Sequence, residues 1–404
     1  MKYLVYVFRN IRRNPVRTLL TVASISICLF LMMLLLSYLT INTEVAHSLS
    51  DYNRLITMSS QGFTQPVPIA NVATVAAMEG IATVGELTPE DKEHRDKKAV
   101  SPFSWYGGRY KDDSMPGSQF GIDPETIFAI MVEMKLPPDQ LKAFRDDKTG
   151  CVIGKKLAKD KNLKIGDPYP LKGTVYEFNL DLTIRGIYDA PENRDNRMCL
   201  YHWAYLDEGL KRDFQGRAAG NAGTIYFKCK DAAAMPGLIK KIDDSFRNSS
   251  TPTKTQTEEA FAQMFSEMIG DLQTLIVAVG MAVVVSLICV CGVAMAMSMR
   301  ERTTEVAVLK AIGFGRGLVL ALVLVEAVIV STLGGVVGAL GTKLLFDQFD
   351  LGSLVPGFLP FFYVPWTTAL FGLGLAVLIG FVSGVLPAWL AAQTSVIQGL
   401  RKVV

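Results

Sequence analysis

The chain has 404 residues, half of them hydrophobic, and its mean hydropathy is +0.28. These values are high for a soluble globular protein and indicate a membrane protein with a sizeable polar part. The net charge is only +3, so the composition gives no sign of the basic surface that nucleic-acid binding requires, and no nucleic-acid partner is predicted.

Residues 1–17 are basic and partly apolar, and they are predicted to form a cytoplasmic amphipathic helix on the membrane surface. The same cations could serve only to set the membrane topology, and the sequence leaves this alternative open. Residues 18–41 carry no charge and are long enough to cross the hydrocarbon core of a bilayer. They are predicted as the first transmembrane helix, an uncleaved anchor, because the apolar run is too long for a signal peptide.

Residues 42–271 hold most of the charges, prolines and aromatic residues, and they are predicted to form an extracytoplasmic (periplasmic) α+β domain of two lobes. Helical patterns occupy residues 68–79, 138–147 and 231–247. Alternating β-branched and aromatic residues predict strands at residues 81–87, 151–154, 175–187 and 224–230. Residues 101–120 are predicted to be a loop.

The two ends of this region are predicted to be stalk helices that extend the first and second spans outward. No proline occurs in residues 257–302, so this segment is predicted as one continuous helix. Residues 38–52 carry an apolar stripe, and the facing stripe consists of Phe261, Met264, Phe265 and Met268. The stripes predict that the two helices pack on each other like a coiled coil; two separate helices on the membrane surface are the alternative.

Three further apolar segments are predicted to span the membrane, at residues 272–299, 318–340 and 366–392. The predicted fold class is therefore an α-helical membrane protein with four transmembrane helices and a large α+β extracytoplasmic domain. Basic residues cluster before the first span, between the second and third spans, and in the tail at residues 393–404. The positive-inside rule then places both termini in the cytoplasm and the large domain outside a bacterial inner (plasma) membrane.

Residues 300–316, between the second and third spans, are predicted to form a short cytoplasmic helix. Glu301 and Glu305 lie at its start and Lys310 near its end, where the helix dipole favours these charges. Gly313 follows the last residue of the helical pattern, where helices commonly stop. An apolar ridge recurs at helical spacing and consists of Val308, Leu309 and Ile312. Such a helix suits docking onto a partner, with an ordinary interfacial loop as the alternative.

The run R-E-R-T-T-E-V-A-V-L-K-A-I-G-F, followed by Glu326 and Gly334-Gly335, resembles the signature block of the FtsX/MacB-type permease family. RNPVRT, CVIGKKLA, KIGD, LTIRGIYD and GVLPAWLAA are similar to other parts of this family, although Gln393 replaces its usual basic residue. These proteins are membrane subunits of bacterial ABC transporters, and the resemblance implies that the block is a coupling helix that touches an ATPase. The residues that this implies for ATPase coupling are Arg300, Glu301, Arg302, Glu305, Val306, Leu309, Lys310, Ala311, Gly313 and Phe314.

The resemblance also implies how such a chain works. It would act as a homodimer with a cytoplasmic ABC ATPase subunit, with ATP and Mg²⁺ bound by that partner, and would transmit motion across the membrane for export or extraction of a substrate. A periplasmic adaptor (membrane fusion protein) and an outer-membrane channel are further partners that this type of transporter uses, beside membrane lipid. Two alternatives stay open: a signal transducer that activates a periplasmic cell-wall hydrolase, and a lipoprotein-releasing permease.

The sequence offers no catalytic constellation, so the chain is predicted not to be an enzyme. It has neither a phosphate-binding G-x-x-x-x-G-K-[ST] loop nor a G-x-S-x-G nucleophile motif. Its histidines, His47, His94 and His202, lack the spacing of metal ligands, so neither a metal nor another cofactor is expected on this chain. A disulfide between two of Cys151, Cys199 and Cys229, or buried free thiols, are both compatible with the sequence.

Glu326 is the one acidic residue inside a predicted span, where an unpaired carboxylate is costly. It could contact a proton or a substrate, or it could pin two helices together by facing a polar neighbour such as a serine or threonine; the resemblance favours the pin, because members of the family often carry glutamate here. Small residues that permit close helix packing are Gly334, Gly335 and Gly338 on the third span and Gly380 and Gly384 on the fourth.

Overall fold

The computed structural model describes residues 7, 9, 12–62, 64–111, 113, 116–213, 218–268, 272–349 and 362–397. The chain divides into two compact units, which we call the helical unit (Met1–Ile41, Asp271–Phe349 and Tyr363–Val404) and the α+β domain (Asn42–Gly270 with Asp350–Phe362). Four helices in the described part are long and apolar enough to cross a membrane. Together with the sheet of the α+β domain, they confirm the predicted fold class.

The first helix, α1, runs from Pro15 to Ser50 and therefore extends well beyond the predicted span. It begins at a proline, whose missing N–H costs nothing at the first helical position. Tyr52, at the end of the predicted stalk stripe, lies beyond the helix in a turn, where its N–H donates to the Leu49 carbonyl at 3.3 Å. Most of the amphipathic helix predicted at residues 1–17 lies outside the described residues.

The α+β domain is built on a nine-stranded sheet with the order β11-β1-β10-β3-β4-β8-β5-β7-β6, beside a small β2–β9 pair. Neighbouring strands are antiparallel except β4–β8 and β5–β7, which are parallel. The strands are β1 Arg54–Ser59, β2 Val67–Pro68, β3 Val100–Trp105, β4 Gln119–Ile122, β5 Gly150–Gly154, β6 Pro168–Leu171, β7 Leu180–Tyr188, β8 Cys199–His202, β9 Asn221–Ala222, β10 Thr224–Lys228 and β11 Thr253–Thr257.

Helices cover this sheet and bury its apolar residues. Along β7, Leu180, Leu182 and Ile184 are buried and Asp181 between them is exposed, as the two-residue period of a strand requires. Cys151 and Cys199 are buried in the same hydrophobic cluster and carry free thiols, as does Cys229. The helices are α2 Ala70–Ala76, α3 Val84–Leu87, α4 Ile127–Ile130, α5 Pro138–Asp146, α6 Lys155–Lys161, α7 Trp203–Asp213, α8 Met235–Phe246 and α9 Glu258–Met268.

The strand predicted at residues 81–87 is wrong over its second half, which forms α3. The reason is a capping box. The Glu86 N–H donates to Thr83 Oγ1 at 3.3 Å, and the Thr83 N–H donates to Glu86 Oε2 at 2.8 Å. Two predicted bounds also change: the strand predicted at residues 175–187 begins only at Leu180, and a 3₁₀ turn at Ala232–Ala234 precedes α8.

The loop predicted at residues 101–120 is wrong at both ends, where β3 and β4 form an antiparallel pair. Their side chains support each other across the strands, since the Phe103 and Phe120 rings stack with centroids 4.2 Å apart. Pro102 lies one residue before this pairing begins, and on the other side of β3 it is opposite Ile225 of β10.

The helical unit continues with α10 Leu272–Glu301, α11 Thr303–Ala311, α12 Arg316–Gly335, α13 Gly341–Gln348 and α14 Trp366–Gln393. A π-helical turn, Val336–Leu340, joins α12 to α13, so the third apolar helix runs past the predicted end of its span. The described residues do not include 269–271 of the predicted continuous helix or 398–404 of the tail. The side chains of Phe265 and Met268 also lie outside the description.

Small residues bring α12 close to α1. A Cβ added to Gly334 would lie 2.6 Å from Ile25 Cγ2, and one added to Gly338 would lie 2.8 Å from the Ser26 carbonyl oxygen. Both distances are too short for real contacts, so the helices can approach this closely only because these positions have no side chain. The Ser26 hydroxyl uses the close approach to donate to the Gly334 carbonyl at 3.1 Å.

The other side of α12 packs on α14 in the same way. A Cβ on Gly335 would meet Ala376, one on Gly380 would lie 3.0 Å from the Ala327 carbonyl oxygen, and one on Gly384 would lie 2.7 Å from Ala327 Cβ. The glycines predicted for helix packing therefore lie at two helix contacts, which makes α12 the central helix between α1 and α14.

We predict that Gly338→Ala lowers the thermal unfolding temperature of the detergent-solubilised protein. The new methyl group would press on the backbone of α1, and such overpacking typically costs about 1–3 kcal/mol. Gly341→Ala is the matched control, because nothing lies within 4 Å of the position that its methyl group would take. Equal unfolding temperatures for the two variants would contradict this packing.

Candidate functional site

The candidate site is the short helix α11 between the second and third apolar helices. Its end is a Schellman motif: the Gly313 N–H donates to the Lys310 carbonyl and the Phe314 N–H to the Leu309 carbonyl, both at 3.1 Å. Gly313 has φ 104°, a left-handed conformation that favours glycine. The helix therefore ends at the glycine that the sequence marks as its stop, and it is only nine residues long.

Arg302, at the start of α11, forms a buried ion pair with Glu326 of α12. Its Nη1 lies 2.9 Å from Glu326 Oε1 and 3.0 Å from Oε2, and the two side chains are 11% and 8% exposed. Glu326 thus links α12 to the start of α11, which agrees with an interhelical pin. The partner is a cation and not the hydroxyl group named as an example, since a carboxylate among apolar helices is stabilised far better by a cation. The pair lines a cavity of about 20 Å³, which has room for roughly one water molecule.

Lys310, in the last turn of α11, fastens this helix to the end of α14. Its Nζ donates to the Ala392 carbonyl at 2.5 Å and to the Thr394 carbonyl at 2.7 Å. A cation suits this place because the last carbonyls of a helix carry partial negative charge. Partial burial lowers the pKa of the Lys310 ammonium, and the charge of Arg316 acts in the same direction.

The start of α11 and the end of α10 are also tied to the start of α1. Glu305 forms an ion pair with Arg13 and Glu301 forms one with Arg17. The Asn14 side-chain amide donates to Glu301 Oε2 at 3.2 Å. These groups are exposed or only half-buried, so each contact contributes little by itself. Together with Arg302 and Lys310, they hold α11 against three apolar helices, α1, α12 and α14.

The remaining side of α11 faces outward. Val308 is 43% and Ile312 is 71% exposed, whereas Val306 and Ala307 are buried. Leu309, the third residue of the predicted ridge, is partly buried and lines the cavity beside Arg302. The other residues predicted for ATPase coupling divide similarly: Phe314 is partly buried, and Arg300, Glu301, Ala311 and Gly313 are exposed.

The family resemblance implies that Arg302 and Lys310 contact the ATPase, but in the structure both side chains point toward other helices of the chain. A signal for Arg302 was present, because a lone glutamate in a span requires a nearby cation. Of the predicted stalk residues, Phe261 packs against a core cluster of the α+β domain, and the thioether of Met264 lies 3.7 Å from the Gln256 amide. The stripe did not predict these contacts with the sheet.

Two family models match this chain in separate regions. The MacB-like periplasmic core domain matches residues 18–245, and the FtsX-like permease C-terminal region matches residues 275–396. The second match includes α11 and Glu326. Over 418 aligned residues, the chain is 24% identical to an uncharacterised ABC transporter permease of Methanocaldococcus jannaschii, and the alignment covers 98% of this chain and 96% of that protein.

A comparison with solved structures finds a likeness to the extracellular domain of the noncanonical ABC-type transporter YknZ from Gram-positive bacteria. That likeness has a TM-score of 0.34 and 11% identity, and it covers 50% of this chain and 100% of that one. A domain of a permease protein from Porphyromonas gingivalis is similar with a TM-score of 0.32 and 11% identity, covering 51% of this chain and 89% of that one. These low scores add nothing to the two sequence matches.

We predict that Arg302→Met and Glu326→Leu each destabilise the protein, because each leaves one buried charge without its counter-ion, at a cost of about 3–5 kcal/mol. The double variant should recover much of this loss, since it removes both charges together. The measurement is thermal unfolding of the four proteins in detergent. Glu305→Gln, which breaks only an exposed pair, is the control and should change the unfolding temperature little. A double variant whose loss equals the sum of the single losses would contradict the pairing.

Proposed function

Because the chain belongs to the family of ABC transporter permeases with a MacB-like periplasmic core domain and an FtsX-like permease region, we propose that it transmits motion across the membrane. In this proposal, a separate cytoplasmic ATPase binds ATP and Mg²⁺, and its conformational cycle moves α11. The displacement passes through the apolar helices to the extracytoplasmic α+β domain, which exports or extracts a substrate at the outer face of the membrane.

The observation that carries this proposal is the division of α11 into two sides. Its inner side is bound to α12 through Arg302 and to α14 through Lys310. Its outer side presents Val308 and Ile312 to the surroundings. A partner that pushes on the outer side would therefore displace the apolar helices through short, charged contacts on the inner side.

The outer side of α11 has the chemistry of a small docking surface. Exposed aliphatic side chains at i and i+4 form one ridge, which suits insertion into an apolar groove on a partner. Exposed apolar side chains that lie side by side, unlike scattered ones, are typical of an interaction site. We assign this ridge to the ATPase. The basic residues of the same loop support a cytoplasmic position for the ridge and for both termini.

The assembly that fits this mechanism is a homodimer of the chain with two ATPase subunits. Each chain offers one α11, and paired ATPases need two such helices. An adaptor and an outer-membrane channel would extend the same assembly in a cell that has two membranes. The membrane in question would then be the bacterial inner membrane, with the α+β domain on its outer side.

We predict that Ile312→Glu greatly reduces the recovery of an ABC-type ATPase when the tagged full chain is purified from its native membranes. A charge at this position would have to be desolvated on docking. The matched control is Ile397→Glu, which replaces an isoleucine of similar exposure, 78%, outside α11. Quantitative mass spectrometry of the co-purified proteins is the measurement. Unchanged recovery with Ile312→Glu would argue against docking through α11, as would an equal loss with Ile397→Glu.

A further inference from the structure

A second cluster of buried charges lies in the α+β domain, where two helices meet the sheet. Helix α1 ends just before β1, and α9 begins directly after β11. These strands are antiparallel neighbours, with Leu55 opposite Thr257, so the two junctions lie at the same end of the sheet. We call the cluster at these junctions the joint cluster; it consists of Arg54, Glu133, Arg194 and Glu258.

Arg54 is the centre of the joint cluster. Its Nε donates to Glu258 Oε2 at 2.5 Å and its Nη1 donates to Glu133 Oε1 at 2.7 Å. The Arg54 side chain is 1% exposed, and those of Glu133 and Glu258 are 4% and 13% exposed. One guanidinium at the start of β1 thus holds both the first residue of α9 and the segment that contains Glu133.

Arg194 holds the other helix. Its Nη1 donates to Ser48 Oγ at 3.0 Å and its Nη2 donates to the Ser48 carbonyl at 3.2 Å, in the last turn of α1. Its Nε lies 3.8 Å from Glu133 Oε1, which connects it to the Arg54 pair. The ring of Tyr52 adds a further contact, because Arg54 and Arg194 lie 4.5 Å and 5.1 Å from its centroid.

The charges also match the ends of the two helices. Arg194 places a cation at the C-terminal turn of α1, and Glu258 places an anion at the N-terminus of α9, as the helix dipole favours at each end. The joint cluster contains two cations and two anions, so no net charge is buried. Asn53, with φ 50°, provides the left-handed turn by which the chain passes from α1 into β1.

We infer that the joint cluster passes displacement of α1 and α9 to the sheet of the α+β domain, with Arg54, Arg194 and Glu258 as positioning residues. This inference rests on the proposed function. Buried ion pairs often add no more stability than apolar residues of equal volume, so stability alone does not account for four ionised groups at this place. Their directional hydrogen bonds fix the orientation and position of each helix end relative to the sheet, whereas apolar contacts would let the helix ends shift along it.

The domain contains a matched control for this role. Arg197 is also 1% exposed, and its Nε lies 2.9 Å from Asp160 Oδ2. This pair has the same chemistry as that of Arg54, but it links α6 to the segment before β8, whereas the Arg54 pair links the start of β1 to α9. If buried ion pairs only maintain the fold of the domain, breaking either pair should have the same consequence.

The test uses the full chain in complex with its ATPase in lipid nanodiscs. Hydrogen–deuterium exchange is measured in β1 and β11, without nucleotide and with ATP plus vanadate. We expect nucleotide to change this exchange in the wild-type protein but not in Glu258→Gln, whose rate of ATP hydrolysis should stay at the wild-type level. Asp160→Asn should keep the wild-type exchange response. Arg194→Lys, which keeps the charge but loses the double contact with Ser48, should show the same loss if Glu258→Gln does not fold.

The outcomes separate this inference from the proposed function. A wild-type complex without any nucleotide-dependent change in β1 and β11 would overturn the proposed function, and this inference with it. A wild-type response that persists in Glu258→Gln and in Arg194→Lys would overturn the role of the joint cluster alone. The same follows if Asp160→Asn loses the response as well, because any buried pair would then be equivalent.

Discussion

The buried ion pair between Arg302 and Glu326 is the contact on which the helical unit depends. A carboxylate among apolar helices is stable only beside a cation, and here that cation comes from the loop between two apolar helices. Because Glu326 of α12 needs a nearby cation, its pairing with Arg302 fixes the position of the start of α11. Lys310 fixes the position of the end of α11. As a result, α11 does not move freely on the membrane surface but is part of the helix bundle.

Close packing then connects this contact to the other apolar helices. Because α12 has glycines on the sides that face α1 and α14, the three helices touch backbone to backbone with few flexible side chains between them. A displacement of α12 has to be shared by its neighbours, since closely packed helices leave little free volume. In the α+β domain, Arg194 and Arg54 hold the last turn of α1 and the first residue of α9 against the sheet. Charged contacts thus lie at both ends of the proposed path, and glycine contacts lie between them.

Long apolar segments could be predicted from the sequence because length and the absence of charge are enough to identify them. The end of α11 could also be predicted, because a glycine with positive φ is a local feature. For Glu326, the sequence indicates only that a cation should lie nearby; that this cation is Arg302, 24 positions away in the chain, depends on how the start of α11 packs on α12. The strands at both ends of residues 101–120 were missed for a similar reason: their stability comes from pairing with β10 and β8, which lie far along the chain. The helix α3 is different, because its capping residues Thr83 and Glu86 are only three positions apart in the sequence and could have been recognised.

The most direct test of this account is hydrogen–deuterium exchange in α12 of the full chain bound to its ATPase, with and without ATP plus vanadate. The variant to compare with the wild-type protein is the double replacement Arg302→Met/Glu326→Leu, which should fold and still bind the ATPase through the exposed side of α11. The account predicts that the addition of nucleotide alters hydrogen–deuterium exchange in α12 of the wild-type complex but leaves it unaltered in the double variant. A response of wild-type size in the double variant would contradict transmission through this ion pair.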